Sequence, residues 1–181
     1  DWLPGTSISL TIDDPATTEL DYSVSRPSYS NGDVDFTLYG FDLMPGHIIT
    51  MTDGSNSRSH TVTNVVVKKV LTDTDSVKGV ADPFSTLIIY GNDRESYQWL
   101  YPTADSYGKW SAIFTTVDLK SGTYGWVYQY DVQGNATLVY WNVPNPYMRV
   151  YPQYDDVSGS SWTPNTTVKI FIDGIEKKSA T

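Results

Sequence analysis

Residues 1–15, DWLPGTSISLTIDDP, and residues 160–174, SSWTPNTTVKIFIDG, share the pattern W-x-P-x-T-x-[IV]-x-[LI]-x-I-D without a gap. Trp2 matches Trp162, Pro4 matches Pro164, Thr6 matches Thr166 and Ile8 matches Val168. Leu10 then matches Ile170, Ile12 matches Ile172 and Asp13 matches Asp173. In both copies apolar residues fall on every second position, the period of a half-buried β-strand. A chain that ends on the element with which it begins is built of repeats, and repeats decide the architecture.

The alternation continues outward from both copies. Val34, Phe36 and Leu38 alternate in DVDFTLYGF, which predicts a strand. Residues 47–70 read as strands around an Asp53-Gly54 turn. The segments VVVKKVL, SVKGVA, STLIIYG, ESYQWLYP, KWSAIFTT, GTYGWVYQYD and ATLVYWNVP follow at short intervals. No window carries a helical stripe of i, i+3, i+4, i+7 apolar positions. The expected fold is all-β, with about twelve to fifteen short strands at sandwich spacing.

A shorter period lies inside the long one. Val77, Gly79, Pro83, Thr86, Leu87 and Ile89 match Val157, Gly159, Pro164, Thr167, Val168 and Ile170 when one residue is inserted. Asp42, Leu43 and Gly46 match Asp118, Leu119 and Gly122, and Thr61 and Val62 match Thr137 and Leu138 at the same offset. The unit is therefore about 80 residues long. Residues 1–65 are expected to form a first module lacking its first strands, residues 66–145 a second, and residues 146–181 the initial strands of a third or a donated tail. Because the chain begins inside a repeated motif, it is expected to be a piece of a longer precursor.

Composition narrows the function classes. The chain has 181 residues and a formal net charge of −9, so a polyanionic backbone would be repelled and nucleic acid is a poor partner. Cysteine is absent, which rules out disulfides and thiolate metal sites. No apolar run reaches the roughly 18 residues of a membrane-spanning helix. His47 and His60 are the only histidines and read as ordinary strand positions, with no Cys or Glu nearby to complete a ligand set. Neither G-x-S-x-G nor H-E-x-x-H occurs, and the chain is expected not to be an enzyme.

Residues 77–89 (VKGVADPFSTLII), 104–114 (ADSYGKWSAIF), 118–131 (DLKSGTYGWVYQYD) and 131–141 (DVQGNATLVYW) resemble the bacterial Ig-like repeats of large adhesin-like cell-surface proteins. That resemblance implies tandem Ig-like β-sandwiches in a secreted or cell-surface protein. One departure stands out. Phe84 replaces the glycine expected after Pro83, so this turn is expected to differ in type; the tail has Asn165 there.

Several candidate sites follow. The acidic pairs Asp13 and Asp14, Asp73 and Asp75, and Asp155 and Asp156 lie near the expected joints, where calcium could be held by flexible oxygen-rich loops. No other cofactor is expected. Tyr97, Trp99 and Tyr101 share one strand face on an expected edge hairpin and are candidates for stacking on a surface glycan. Tyr124, Trp126, Tyr128 and Tyr130 are expected to fill the core instead. Asn135 and Asn165 begin N-x-T glycosylation sequons. Trp2, Pro4, Met148, Val150, Val157, Trp162, Val168, Ile170 and Ile172 are the candidate assembly and joint residues. A sandwich missing two strands exposes open edges, which adjoining repeats or a second copy of the chain could fill by strand addition.

Overall fold

The computed structural model describes residues 2–180. Among them are fifteen strands and one short 3-10 turn, Pro152–Tyr154. The protein is all-β.

β1 (Ser7–Asp13), β2 (Tyr22–Pro27), β3 (Ile48–Thr52) and β4 (Ser57–Thr61) form an antiparallel sheet in the order β2-β1-β3-β4. Its inner face carries Ile8, Leu10 and Ile12, the alternate apolar residues of the opening motif, all buried. Asp53 closes the β3–β4 hairpin, its Oδ1 accepting the amides of Ser55 and Asn56.

Residues 66–142 make a complete sandwich. β5 (Val66–Leu71), β6 (Ser76–Val80) and β9 (Lys109–Ile113) form one sheet, in the order β5-β6-β9. β7 (Leu87–Asn92), β8 (Tyr97–Leu100), β10 (Tyr124–Tyr130) and β11 (Ala136–Asn142) form the other, in the order β11-β10-β7-β8. Val77, Trp110 and Ala112 from the first sheet share one core with Leu87, Ile89, Val127 and Trp141 from the second.

The remaining strands form two separate hairpins. β12 (Tyr147–Tyr151) pairs with β13 (Asp156–Ser160), and β14 (Val168–Ile172) pairs with β15 (Ile175–Ala180).

The order β2-β1-β3-β4 repeats the order β8-β7-β10-β11, so the first sheet is the counterpart of the second unit's four-stranded sheet. The turns agree in detail. Tyr29 N–H donates to Asp33 O at 2.8 Å and Gly32 N–H to Tyr29 O at 3.0 Å. The second unit has Asp105 N–H to Lys109 O at 2.9 Å and Gly108 N–H to Asp105 O at 2.9 Å.

Four expectations are corrected. Residues 33–38 are not a strand, although Val34, Phe36 and Leu38 are half-buried and their neighbours exposed as the alternation requires. A strand needs a hydrogen-bonded partner. The second unit supplies β6 for its counterpart β9, whereas among the described residues no β6 equivalent lies beside residues 33–38.

Tyr124, Trp126, Tyr128 and Tyr130 do not fill the core. Gly125, Val127 and Gln129 point inward. The core is already occupied by large rings from other segments. A Cβ at Gly79, Gly91 or Gly125 would lie 2.5 Å from the ring of Trp110, Phe114 or Trp141 respectively. Glycine at these three places lets each ring lie across a neighbouring backbone.

Phe84 does not change its turn. Its φ of 62° is left-handed like that of Gly5 (75°) and Asn165 (62°). The pairing of Thr61 and Val62 with Thr137 and Leu138 also fails. Val62 N–H donates to His47 O, as Val143 N–H donates to Thr123 O, so Val62 corresponds to Val143 and the second hairpin is longer.

Candidate functional site

Two features of the first unit stand out: a hydrogen-bonded joint with the sandwich, and an extended segment, residues 33–38, without a paired strand.

The joint is built where β4, the last strand of its sheet, meets the turn and strand at β11, also the last of its sheet. His60 projects from β4 with its side chain 12% exposed. Its Nδ1 lies 2.8 Å from Asp131 Oδ2, and its Nε2 lies 2.9 Å from Thr137 Oγ1. The same Thr137 hydroxyl accepts the Thr63 amide at 2.9 Å. Asn135 Nδ2 donates to Ser59 O at 3.1 Å and to Asp131 Oδ2 at 3.0 Å.

Asp131 also holds its own turn, its Oδ1 accepting the amides of Gln133 and Asn135. Hydrogen bonds from His60, then Asn135, hold the Asp131 carboxyl well below the usual carboxylate range. The connection is short and tied at each end. Val62 N–H is bonded to His47 O, Thr63 N–H to Thr137, and Val65 is buried in the second core. Backbone and side chains thus restrain the joint together.

His47, the other histidine, stays within the first unit. Its Nδ1 accepts the Met44 amide at 3.2 Å, and its Nε2 lies 3.8 Å from Asp14 Oδ2.

Along the extended segment at residues 33–38, the Arg26 guanidinium donates to Asp35 O. Trp2 N–H donates to Gly32 O at 3.0 Å, the counterpart of Ala81 N–H to Gly108 O at 2.8 Å. A groove of about 540 Å³, lined by Trp2, Tyr29, residues 31–35 and Met51, lies against the start of this segment.

The acidic pairs lie on separate turns. Asp13 ends β1, and the Asp14 amide donates to Asp21 Oδ2 at 2.6 Å. Asp73 and Asp75 lie in the β5–β6 turn, where Asp75 Oδ1 accepts the Leu119 amide at 2.8 Å. Asp155 is left-handed at φ 51° and Asp156 begins β13. Among the described residues no group of three or more His, Asp and Glu side chains is arranged to hold a metal ion.

Asn135, the first sequon residue, spends its amide nitrogen on the joint. Asn165 lies exposed in its left-handed turn. Trp2 lines the groove and Pro4 is exposed in the adjoining turn. Met148 and Val150 on β12 and Val157 on β13 are exposed, as is Trp162. On β14, Val168 and Ile170 are half-buried and Ile172 is exposed.

Tyr97 and Trp99 lie on edge strand β8 and Tyr101 just past it, all exposed. Trp99 belongs to a row crossing the outer face of the sheet. Tyr140 lies opposite Trp126, Trp126 opposite Tyr90, and Tyr90 opposite Trp99. The two central rings stack on each other, with centroids 4.2 Å apart and planes 17° apart. Their facing surfaces are therefore covered, as in a cross-strand ladder that stabilises a sheet.

Sequence reasoning missed the joint. His60 and Asp131 are 71 residues apart, and each has a sufficient local explanation, as a strand position and as a turn aspartate.

No family model matches this chain, and no curated protein matches it. Among solved structures it is similar to the crystal structure of a tetra-tandem repeat in the extending region of a large adhesion protein. The identity is 15% and the TM-score 0.32, over 82% of this chain and 44% of that one. The chain thus spans less than half the length of that neighbour, and a similarity of this size bears on neither ligand nor partner. Among the described residues no helix is long and apolar enough to cross a membrane.

Proposed function

We propose that this chain is a structural component of a secreted or cell-surface bacterial protein, a unit of a stalk, sheath or filament that also serves adhesion. The role is mechanical and non-catalytic. The observation that carries it is the joint: His60, Thr63, Asp131, Asn135 and Thr137 tie consecutive units by four hydrogen bonds across the contact. Such a tie favours a fixed angle between units, and a row of them favours a stiff array. Paired backbone ladders within each unit resist extension.

Head-to-tail assembly belongs to this reading. The first unit has an uncovered edge, and the hairpin β12–β13 is exposed along its whole second strand. A contact between two different surfaces of the same chain is heterologous and extends without closing. Light scattering and negative-stain electron microscopy on the purified chain test it. Fibres or growing oligomers are expected, and deletion of residues 147–181 should abolish them. A species that stays at 20.2 kDa at every concentration would overturn assembly.

A glycan-binding role is the second reading, favoured by the exposure of Tyr97 (66%) and Tyr101 (65%). Binding on a broad glycan array that is lost in Trp99→Ala would support it, and an array without binding would remove it.

A further inference from the structure

We propose that the outer face of the sheet β11-β10-β7-β8 is a binding face for an uncharged polysaccharide, which lies across the strands on the row Tyr140, Trp126, Tyr90 and Trp99. This rests on the glycan-binding reading above. It extends the site from the edge hairpin to the whole sheet and names the class of glycan.

The first unit shows that the sheet does not require these rings. Gly46 and Gly122 take left-handed turns (φ 97° and 88°) before β3 and β10, as Gly5 and Phe84 do before β1 and β7. Counted from those turns, Thr50 corresponds to Trp126 and Thr11 to Tyr90, and each pair is directly cross-strand. The next partners along each row then match Ser59 with Tyr140 and Ser23 with Trp99. The inner face keeps its character, since Ile8 and Leu10 correspond to Leu87 and Ile89 and all of them are buried. The outer row does not. One sheet carries hydroxyl side chains at every position where the other carries an aromatic ring, and the same strand order forms with either set.

The flanking rings are open. Tyr90 and Trp126 cover each other, but Trp99 is turned 68° and Tyr140 79° out of the plane of Trp126. Tyr140 is 73% exposed and Trp99 41%. They stand on the two outermost strands of the sheet, about 14 Å apart by strand spacing, the span of an oligosaccharide and not of a single sugar. Tyr97, Tyr124 and Asn142 are exposed in the adjoining row and supply hydroxyl and amide groups.

Charge selects the ligand. The outward positions of these strands carry no charged residue. The other sheet of the same sandwich has Lys69, Lys78 and Lys109 exposed on its outer side. Acidic glycans need cations to meet them, and a chain of net charge −9 repels them. An uncharged sugar ring offers apolar C–H groups on its faces to the aromatic rings, and hydroxyls at its rim to phenols and amides. Size disfavours a protein partner. By strand spacing and residue rise the face covers about 400 Å², half of the roughly 800 Å² that each side of a stable protein interface buries.

The test is affinity electrophoresis of the full chain in native gels cast with hydroxyethyl cellulose, galactomannan or dextran, and with alginate or polygalacturonate as acidic counterparts. Retardation by at least one uncharged polymer and by neither acidic one is expected. Tyr140→Ser places the first unit's residue at an exposed position outside the core, and circular dichroism checks its fold. It should weaken binding about tenfold or more, as Trp99→Ala should, whereas Tyr140→Phe keeps the ring and should bind like the parent.

Binding lost in Trp99→Ala but kept in Tyr140→Ser would overturn this face and leave the edge-hairpin reading standing. Equal retardation by the acidic polymers would overturn the uncharged class. No retardation by any polymer would overturn both readings, and a light-scattering mass that falls in Tyr140→Ser would then assign the face to a second copy.

Discussion

Thr137→Val removes one oxygen while keeping the shape of the side chain. That oxygen accepts the Thr63 amide at 2.9 Å and lies 2.9 Å from His60 Nε2. Both contacts are part-buried, so the valine leaves two polar groups without partners where water enters only in part. An amide stranded in this way costs about 1–3 kcal/mol, and partial access to water lowers the figure to about 1–2 kcal/mol. Opening of the joint should then become about 5–30-fold more frequent. Hydrogen exchange at the Thr63 amide reads this directly, since its acceptor lies in the other unit. Small-angle scattering should show a broader distribution of angles between units.

The control is Thr63→Val. The Thr63 hydroxyl is buried without a partner among the described residues, so its removal spares the amide bond and should leave the exchange rate unchanged. Exchange at Thr63 in Thr137→Val within about twofold of the parent protein would refute the argument, because the joint would then not be held through this hydroxyl.

Three further outcomes are expected. Phe84→Gly should stabilise the protein by about 0.5–1 kcal/mol in chemical denaturation: relief of a left-handed non-glycine residue is worth about 1–2 kcal/mol, less the chain entropy that glycine restores to the unfolded state. Phe84 is 71% exposed and loses little packing, so a destabilised variant would contradict the shared turn geometry. Gly79→Ala should lower stability by about 3 kcal/mol or more. Its Cβ would lie 1.9 Å from Val66 O and 2.5 Å from the Trp110 ring, and a thermal melt matching the parent would refute the close approach.

Acid should destabilise the fold. Burial pushes the Asp93 carboxyl up, but hydrogen bonds from the amides of Ser96, Asp118 and Glu95 and from the Ser96 hydroxyl outweigh it and hold the group at about 2. Asp131 is depressed as well. A carboxyl whose folded value lies below its unfolded value near 3.8 adds stability above that pH and loses it as pH falls toward about 2. Melting temperatures between pH 7 and pH 2 test the sign, and Asp93→Asn should flatten the slope. A melting temperature that holds constant through that range would refute it.

How far the fold could be read in advance varied with the range of the interaction. The opening motif placed Ile8, Leu10 and Ile12 on one face because side-chain alternation is a local property of an extended chain, and all three are buried. The Asp53 turn was equally local. Residues 33–38 have the same alternation yet form no strand, because a ladder needs a partner that no local pattern supplies. The inward face of β10 was read the wrong way round for another reason. Both of its faces carry apolar residues, and only the rings of Trp110, Phe114 and Trp141, arriving from distant segments, decide which one has room.

The candidate site divides along the same line. The edge position of β8 was expected from the resemblance to Ig-like repeats, since alternation alone gives no strand its place in a sheet, and Tyr97 and Trp99 are exposed there. The joint was not. His60 and Asp131 each carry a local pattern that explains them alone, and their pairing depends on how two sheets meet. Sequence by itself determined the strand period, turns such as that at Asp53, and the existence of the repeat, since backbone sterics and neighbouring residues set them. Only tertiary structure decided which edges are paired, which face is buried and where the units are tied, since each depends on groups brought together from far along the chain.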